Sequence, residues 1–332
     1  MGTRLDAIGR WLLVHAPTLG RAYAGCLTPR QPRLEVFPGW TFACEYFVER
    51  RWMALRRAAL WEFALEQGLV IPLAVPWYAG STLEVTLGND NSLCLYVAGS
   101  FEPNEFAFLD DVVKDGMTFV DVGANEGLYT VFAARRVGKS GRVLAVEPSS
   151  RERAVLKRNV ERNRLDNVTV VPQALAAESG FANLQVAPKL HGGHNTLGGF
   201  AHEGIAAIGA EQVAVEAFDA LAQRLSIERV DVMKIDVEGA EVKVLRGARR
   251  MLTRWHPTLL IEANEAALRG QGTSTTDLIA LLRSFGYDIR VFSYRTGEVE
   301  TLVEGGTLSA NIVAVAQAAL PETAIARRTS TA

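Results

Sequence analysis

From residue 118 onward, short apolar runs alternate with segments of helical periodicity. Thr118–Val122, Val143–Val146, Val168–Val171, Val230–Ile235 and Thr258–Glu262 have the length and apolar density of buried strands. Helical patterns separate them at Leu128–Arg136, Ser150–Asn163, Ala240–Leu252 and Asp277–Phe285. Such alternation predicts an α/β fold, a mostly parallel sheet covered on both faces. Near the end, "YDIRVFSY" and "ANIVAVAQ" are joined by turn residues rather than a helix. That connection predicts an antiparallel pair at one edge.

Three segments depart from this rhythm. In "FVERRWMALRRAALWEFALEQG", Trp52, Leu55, Ala59 and Phe63 fall on one helical stripe, with Arg50, Arg57 and Glu66 largely off it. The helix is expected to cap the main domain. "STLEVTLGNDNSLCLYVAG" gives two alternating runs around "GNDN", the pattern of a β-hairpin. Between the third and fourth parallel strands, Ala174–Arg229 reads as an inserted hairpin with a glycine-rich tip, "HGGHNTLGG". The predicted division is a helical extension over 1–80, a β-hairpin over 81–100, the main domain over 101–318, and a disordered tail over 319–332.

Composition narrows the class. The 332 residues are 48% hydrophobic and 22% charged, and 35 basic against 37 acidic residues leave a net charge of −2. Nothing in that balance points to a nucleic-acid partner. The three cysteines, Cys26, Cys44 and Cys94, are scattered and make no metal pattern. They suit a reducing compartment, so a cytoplasmic location is expected. No apolar run reaches membrane-spanning length. The N-terminal run "WLLVHAP" is cut by His15 and Pro17, which argues against a signal peptide. No feature assigns an oligomeric state.

Candidate chemistry gathers at the first strand–helix corner, "MTFVDVGANEGLYTVFAARR". Asp121 closes the strand, and Gly123, Asn125 and Gly127 belong to the turn. Glycines there would let a ligand approach the backbone. A phosphate-binding loop would end in Gly-Lys-Ser/Thr, whereas Leu128 and Tyr129 follow here. A dinucleotide fingerprint would place its second glycine where Asn125 stands. Acids at 121 and 126 would repel a pyrophosphate but accept a ligand carrying an ammonium and a sulfonium. Glu147, ending "RVLAVE", can accept hydrogen bonds from ribose hydroxyls. Pro148 then turns the chain into a helix.

These residues resemble the class I S-adenosylmethionine-dependent methyltransferases, whose pattern is D-x-G-x-x-x-G followed by an acid after the second strand. "FVDVGANEG", "AVEPS", "VDVMKIDVEGAEVKVLRGARRML" and "PTLLIEANE" narrow the resemblance to the FkbM family of methyltransferases. The resemblance implies a Rossmann-like fold whose seven-stranded, mostly parallel sheet ends in an antiparallel hairpin. It also implies methyl transfer from S-adenosyl-L-methionine, usually to a hydroxyl of a sugar or natural product. By the same resemblance, Asp121 and the Gly123–Gly127 turn, Asn125 included, would contact the methionine part and Glu147 the ribose. Gln173 and Ala174 would border the adenine, and Asp236 would lie near the sulfonium and the acceptor.

A hydroxyl acceptor must lose a proton as it attacks, so a positioned base is expected. Asp236 in "KIDVEGAE" is the first candidate; Glu238 caps the next helix or pairs with Lys234. Glu241 and Glu262 complete an acidic cluster, with Glu262 a further catalytic candidate. Such oxygens could hold Mg²⁺, but no metal is expected. His194 in the insertion tip is the other candidate base, and His191 is read as a solvated loop residue. His15, His202 and His256 have no supporting context. The expected partner is a small hydroxylated acceptor. The rival readings are a nicotinamide-dependent oxidoreductase, disfavoured by the missing glycine, and an inactive cofactor-binding module.

Overall fold

A computed structural model describes residues 4–39, 51–199, 206–303 and 305–316. The expected tail, Cys44 and His202 lie outside the described residues. The first strands, β1 (Ile71–Pro76) and β2 (Thr82–Leu87), form an antiparallel hairpin in which Ile71 faces Leu87. The expected hairpin around "GNDN" is thereby corrected. Leu83, Val85 and Leu87 do alternate inward, but the partner strand precedes them rather than follows. Pro72 and Pro76 mask that partner in the sequence, because proline is at home only at sheet edges.

The "GNDN" segment instead starts a helix. The Asn89 side chain accepts from the Ser92 backbone N–H (2.8 Å) and Ser92 Oγ accepts from the Asn89 N–H (3.1 Å). This reciprocal capping box satisfies donors that a hairpin turn would leave to water. Leu93–Ala98 then coil as a π-helix stopped by Gly99, with Cys94–Ala98 all buried. No alternating exposed face remains for a strand.

The extension helix forms over Arg51–Glu66, but its inner face differs from the expected stripe. Ala54, Arg57, Leu60 and Ala64 are buried, while Trp52 and Leu55 are exposed. Two alanines bring the backbone close to its neighbours. The Arg57 guanidinium replaces lost water by donating to the carbonyls of Val97 and Leu27, each at 3.2 Å.

Beyond it lie β3 (Thr118–Val122), β4 (Arg142–Val146), β5 (Val168–Val171), β6 (Ala174–Leu175), β7 (Gly180–Val186), β8 (Gly209–Glu216), β9 (Val232–Ile235), β10 (Thr258–Glu262), β11 (Tyr287–Phe292), β12 (Val299–Thr301) and β13 (Asn311–Ala316). The main sheet runs β12-β11-β13-β10-β9-β3-β4-β5. The five strands from β10 to β5 are parallel, and β13 enters antiparallel between β10 and β11. The seven expected strands are present, and the short β12 adds an eighth at the edge. The insertion pairs β7 with β8 antiparallel, and β6 joins them in a separate small sheet.

Strand alternation divides the core between the two faces of the sheet. Val120, Val122, Met233, Ile235, Leu259 and Ile261 pack on one side. Phe119, Val232 and Leu260 pack on the other, against Trp77, Tyr78, Phe106 and Phe132. The extension therefore shares a core with the sheet. Because the period is two, Asp121, Lys234, Asp236 and Glu262 all belong to the extension-covered face. The order of the parallel strands reverses between β3 and β9, which opens a crevice at their carboxyl ends.

Candidate functional site

A cleft sits at that reversal, lined among others by Asp121's neighbours Gly123 and Asn125, by Glu147, Asp236, Glu262 and His194. Asp121 is buried at 1% exposure, and its Oδ2 accepts from the Thr130 hydroxyl at 2.5 Å. Burial raises its pKa above the ordinary carboxylate value, opposed by the Lys234 ammonium. Its Oδ1 is buried with no hydrogen-bond partner.

The turn glycines answer first to the protein itself. Gly123 has φ +81°, and an added Cβ would overlap the Asp236 carbonyl oxygen and lie 2.9 Å from its carbon. Gly127, at φ +94°, would drive a Cβ to 2.6 Å from Leu156 Cδ1. The expectation that these glycines chiefly make room for a ligand is thus corrected: protein atoms already fill the space. Asn125 takes a left-handed φ of +48° between them. Its N–H donates to Glu147 Oε2 at 2.8 Å, and the Ser149 N–H donates to Oε1 at 2.8 Å. Burial nevertheless carries the Glu147 carboxyl up to about 8, the two N–H bonds pulling against it.

Glu126 was expected at the ligand edge and is not there. It turns to the capping-box turn, accepting from Asn91 Nδ2 at 2.8 Å and Asn89 Nδ2 at 3.5 Å. Gln173 is also directed elsewhere: its Oε1 accepts from Arg224 Nη2 at 2.7 Å, outside the cleft. Ala174, the next residue, does line the cleft with Leu175 and Leu184. Glu241 leaves the acidic cluster as well. Its Oε1 accepts the N–H groups of Val237 and Gly239, each at 3.1 Å, and so braces the loop after β9.

The central charge is Lys234, which the sequence alone offers only as a possible partner for Glu238. It is 3% exposed and stands opposite Asp121 in the β3–β9 register. Its Nζ donates to Asp236 Oδ2 at 2.8 Å and lies 4.5 Å from the Tyr129 ring centroid. Burial acts to lower its pKa, but the carboxylates of Asp236, Asp121 and Glu102 outweigh it and raise the value. The Tyr129 hydroxyl donates to Glu102, whose other oxygen accepts from Asn311 Nδ2 at 2.9 Å. Glu102 and Tyr129 line the cleft floor and were not anticipated. A lysine inside an apolar run, in phase with Asp121 and Glu262, was the signal that could have found this centre.

Asp236, Glu238 and Glu262 bring carboxylate oxygens within 4.8 Å of one another. Glu262 is pushed well above the ordinary carboxylate value by burial and by the charges of Asp236 and Glu238. Its buried Oε2 has no hydrogen-bond partner. Glu238, at φ +52°, accepts neither role expected of it and meets the imidazole of His194 instead, Oε1 to Nδ1 at 3.2 Å. Burial lowers the His194 pKa, but Glu238, Asp90 and Asp236 raise it on balance. His191 is more than a solvated tip residue, since its Nδ1 stands 2.9 Å from Asp90 Oδ2. The described helices include none long and apolar enough to cross a membrane.

The donor set fits a cationic, donor-rich ligand. Asn125 Oδ1 and Glu262 Oε2 are buried acceptors without partners on residues that line the cleft, and Asp121 Oδ1, on a residue outside that lining, is another. A ligand bringing N–H, O–H or positive charge would satisfy them, and a pyrophosphate would not.

Comparison with known proteins supplies the family. The family model described as the methyltransferase FkbM domain matches residues 121–289. The chain is 29% identical over 192 residues to methyltransferase sdnD of Sordaria araneosa, covering 47% of this chain and 73% of that protein. It is 31% identical over 150 residues to methyltransferase 1 of Beauveria bassiana, covering 40% of this chain and 59% of that one. A solved FkbM methyltransferase from Methylobacillus flagellatus is 16% identical with a TM-score of 0.37, covering 68% of this chain and 55% of its own.

Proposed function

The chain belongs to the FkbM family of methyltransferases, and from that premise we propose that it moves a methyl group from S-adenosylmethionine to a hydroxyl oxygen of a small carbohydrate or natural-product acceptor. The unpartnered acceptor oxygens around the cleft carry this reading. Asp121 and Asn125 would hold the amino-acid end, and Glu147 the ribose hydroxyls. Ala174 and Leu175 offer an apolar border for the base. When bound, the sulfonium supplies a methyl group on a good leaving group, so the protein contributes alignment and exclusion of water.

The acceptor's proton needs a destination. We assign it to Asp236: Lys234 engages its Oδ2 and so fixes the carboxylate, leaving Oδ1 for the hydroxyl. Glu262, whose pKa burial and the neighbouring carboxylates raise, would in its protonated form donate a hydrogen bond to the acceptor. His194 stands on the rim, held by Glu238 and near Asp90, and we assign it to shaping the mouth of the cleft. No metal is needed at the acidic trio, where Lys234 already supplies the positive charge.

Calorimetric titration with S-adenosylmethionine and with NAD tests the reading, beside an Asp121→Asn, Glu147→Gln double variant. Saturable binding of the methyl donor alone, lost in the variant, is expected. Transfer of an isotopically labelled methyl group to hydroxylated but not amino acceptors would then fix the acceptor atom. Binding of NAD alone would overturn the reaction class.

A further inference from the structure

From the cluster where the insertion tip meets the capping-box turn, we infer that Asp90, His191 and His194 form a site for a divalent transition-metal ion, zinc being the first choice. The two histidines come from the Lys189–His194 turn between β7 and β8, and Asp90 from the turn that follows β2. Three ligand atoms, one from each side chain, lie within 4.8 Å of one another. Asp90 Oδ2 is 2.9 Å from His191 Nδ1 and 3.7 Å from His194 Nε2. A tetrahedral site with bonds near 2.0–2.1 Å needs ligand atoms roughly 3.3 Å apart. The two separations bracket that value, so small side-chain rotations would admit an ion.

A second, independent observation supports the site. His194 presents Nε2 toward Asp90 while its Nδ1 engages Glu238 Oε1 at 3.2 Å. Metal-binding histidines commonly donate their second ring N–H to a carboxylate, which fixes the tautomer and increases ligand basicity. Glu238 stands where that partner belongs, in the loop after β9, and its backbone is also held: its carbonyl accepts from the Thr196 hydroxyl at 3.0 Å. Two imidazoles and one carboxylate suit zinc or a neighbouring transition metal, whereas magnesium demands oxygen ligands. The Asp90 and His191 side chains are 38% and 40% exposed, so an ion can reach them from solution. Asp90 and His194 also line the cleft. The ion would therefore fasten the insertion tip to the extension across the mouth of the cleft. A fourth coordination position would remain for water or a ligand oxygen.

The test uses the full-length, tag-free chain, stripped with a chelator and titrated with Zn²⁺ by calorimetry and with Co²⁺ by visible absorption. One equivalent of Zn²⁺ and a tetrahedral-type Co²⁺ spectrum are expected. A His191→Ala, His194→Ala variant, shown folded by circular dichroism, should lose both signals. Glu238→Gln should keep the stoichiometry with affinity lowered about 10–100-fold. Asp236→Asn, in the neighbouring acidic trio, should bind Zn²⁺ as the parent does. Absence of stoichiometric binding by the parent overturns the proposal, as does binding that survives in the double-histidine variant or disappears only in Asp236→Asn. Donor titration on the same samples keeps the two readings apart, because methyl-donor binding without metal binding would sink this inference alone.

Discussion

The two turn glycines invite a quantitative comparison, because the same substitution meets different obstacles at each. Gly123→Ala and Gly127→Ala both force alanine to a positive φ, +81° and +94°, at about 1–2 kcal/mol each. At Gly127 the new methyl meets the end of the Leu156 side chain at 2.6 Å. A leucine terminus can rotate away, so the added cost is small. At Gly123 the methyl overlaps the backbone carbonyl of Asp236, which is fixed by its own N–H bond to Val122 O at 3.0 Å. Separating β3 from the end of β9 adds about 1–3 kcal/mol, as overpacking does elsewhere. Gly123→Ala should therefore destabilise by about 2–5 kcal/mol and Gly127→Ala by about 1–2 kcal/mol. Urea unfolding measures both through the shift in midpoint at unchanged slope. A Leu156→Val change should soften the second substitution and leave the first unaffected. Equal costs at the two positions, or a Gly123→Ala protein of parental stability that only binds donor less well, would refute the argument from the Asp236 carbonyl.

Three further outcomes follow from the buried charges. Lys234→Met should cost about 3–5 kcal/mol in urea unfolding, because it strands buried carboxylates; partial rescue by Asp236→Asn would identify the stranded partner, and a cost below about 1 kcal/mol would dismiss the lysine as the organising charge. Burial lifts Glu147 and Glu105, which with Glu102 accepts from the Asn311 amide, from 4.5 to about 8, and Glu126 and Glu241 from 4.5 to about 7. The folded ligand-free protein then keeps protons that the unfolded chain has released, so its stability is greatest below pH 4.5 as far as these groups go and falls as pH rises through about 8. Thermal unfolding across that range should show the decline, with a shallower slope in Glu147→Gln. Asp236→Asn should lower turnover about 10²–10⁴-fold with donor affinity retained, and equal turnover in single-turnover assays would remove Asp236 from the proton step.

The parallel strands were legible because Val, Ile and Leu runs of strand length have few other uses. The corner at Asp121 and the strand end at Glu147 were legible for the same reason, since each acid closes an apolar run. Local patterns failed where a long-range partner decided the outcome. Glu126 resembles a ligand acid until Asn89 and Asn91, 35 or more residues earlier, claim its oxygens. Arg57 reads as a solvated charge until carbonyls 30 and 40 residues away accept its donors. Gln173 is drawn off by Arg224 in the same way. Lys234 was readable in principle, because strand parity alone puts it beside Asp121 and Glu262.

The shared core between extension and sheet has a consequence for how this chain can be cut or combined. Phe106 stacks on Tyr129 at 4.4 Å between ring centroids and meets Trp77 and Tyr78 at 5.1 Å each. Trp77 Nε1 donates to the Leu128 carbonyl at 3.1 Å, at the first turn of the helix that follows the glycine corner. A fragment starting near residue 101 would retain the whole region matched by the family yet lose Trp77 and Tyr78, half of the aromatic wall behind the glycine corner. The extension is therefore no detachable accessory. Any chimera that exchanges acceptor preference between relatives has to carry residues 71–100 along with the corner they support.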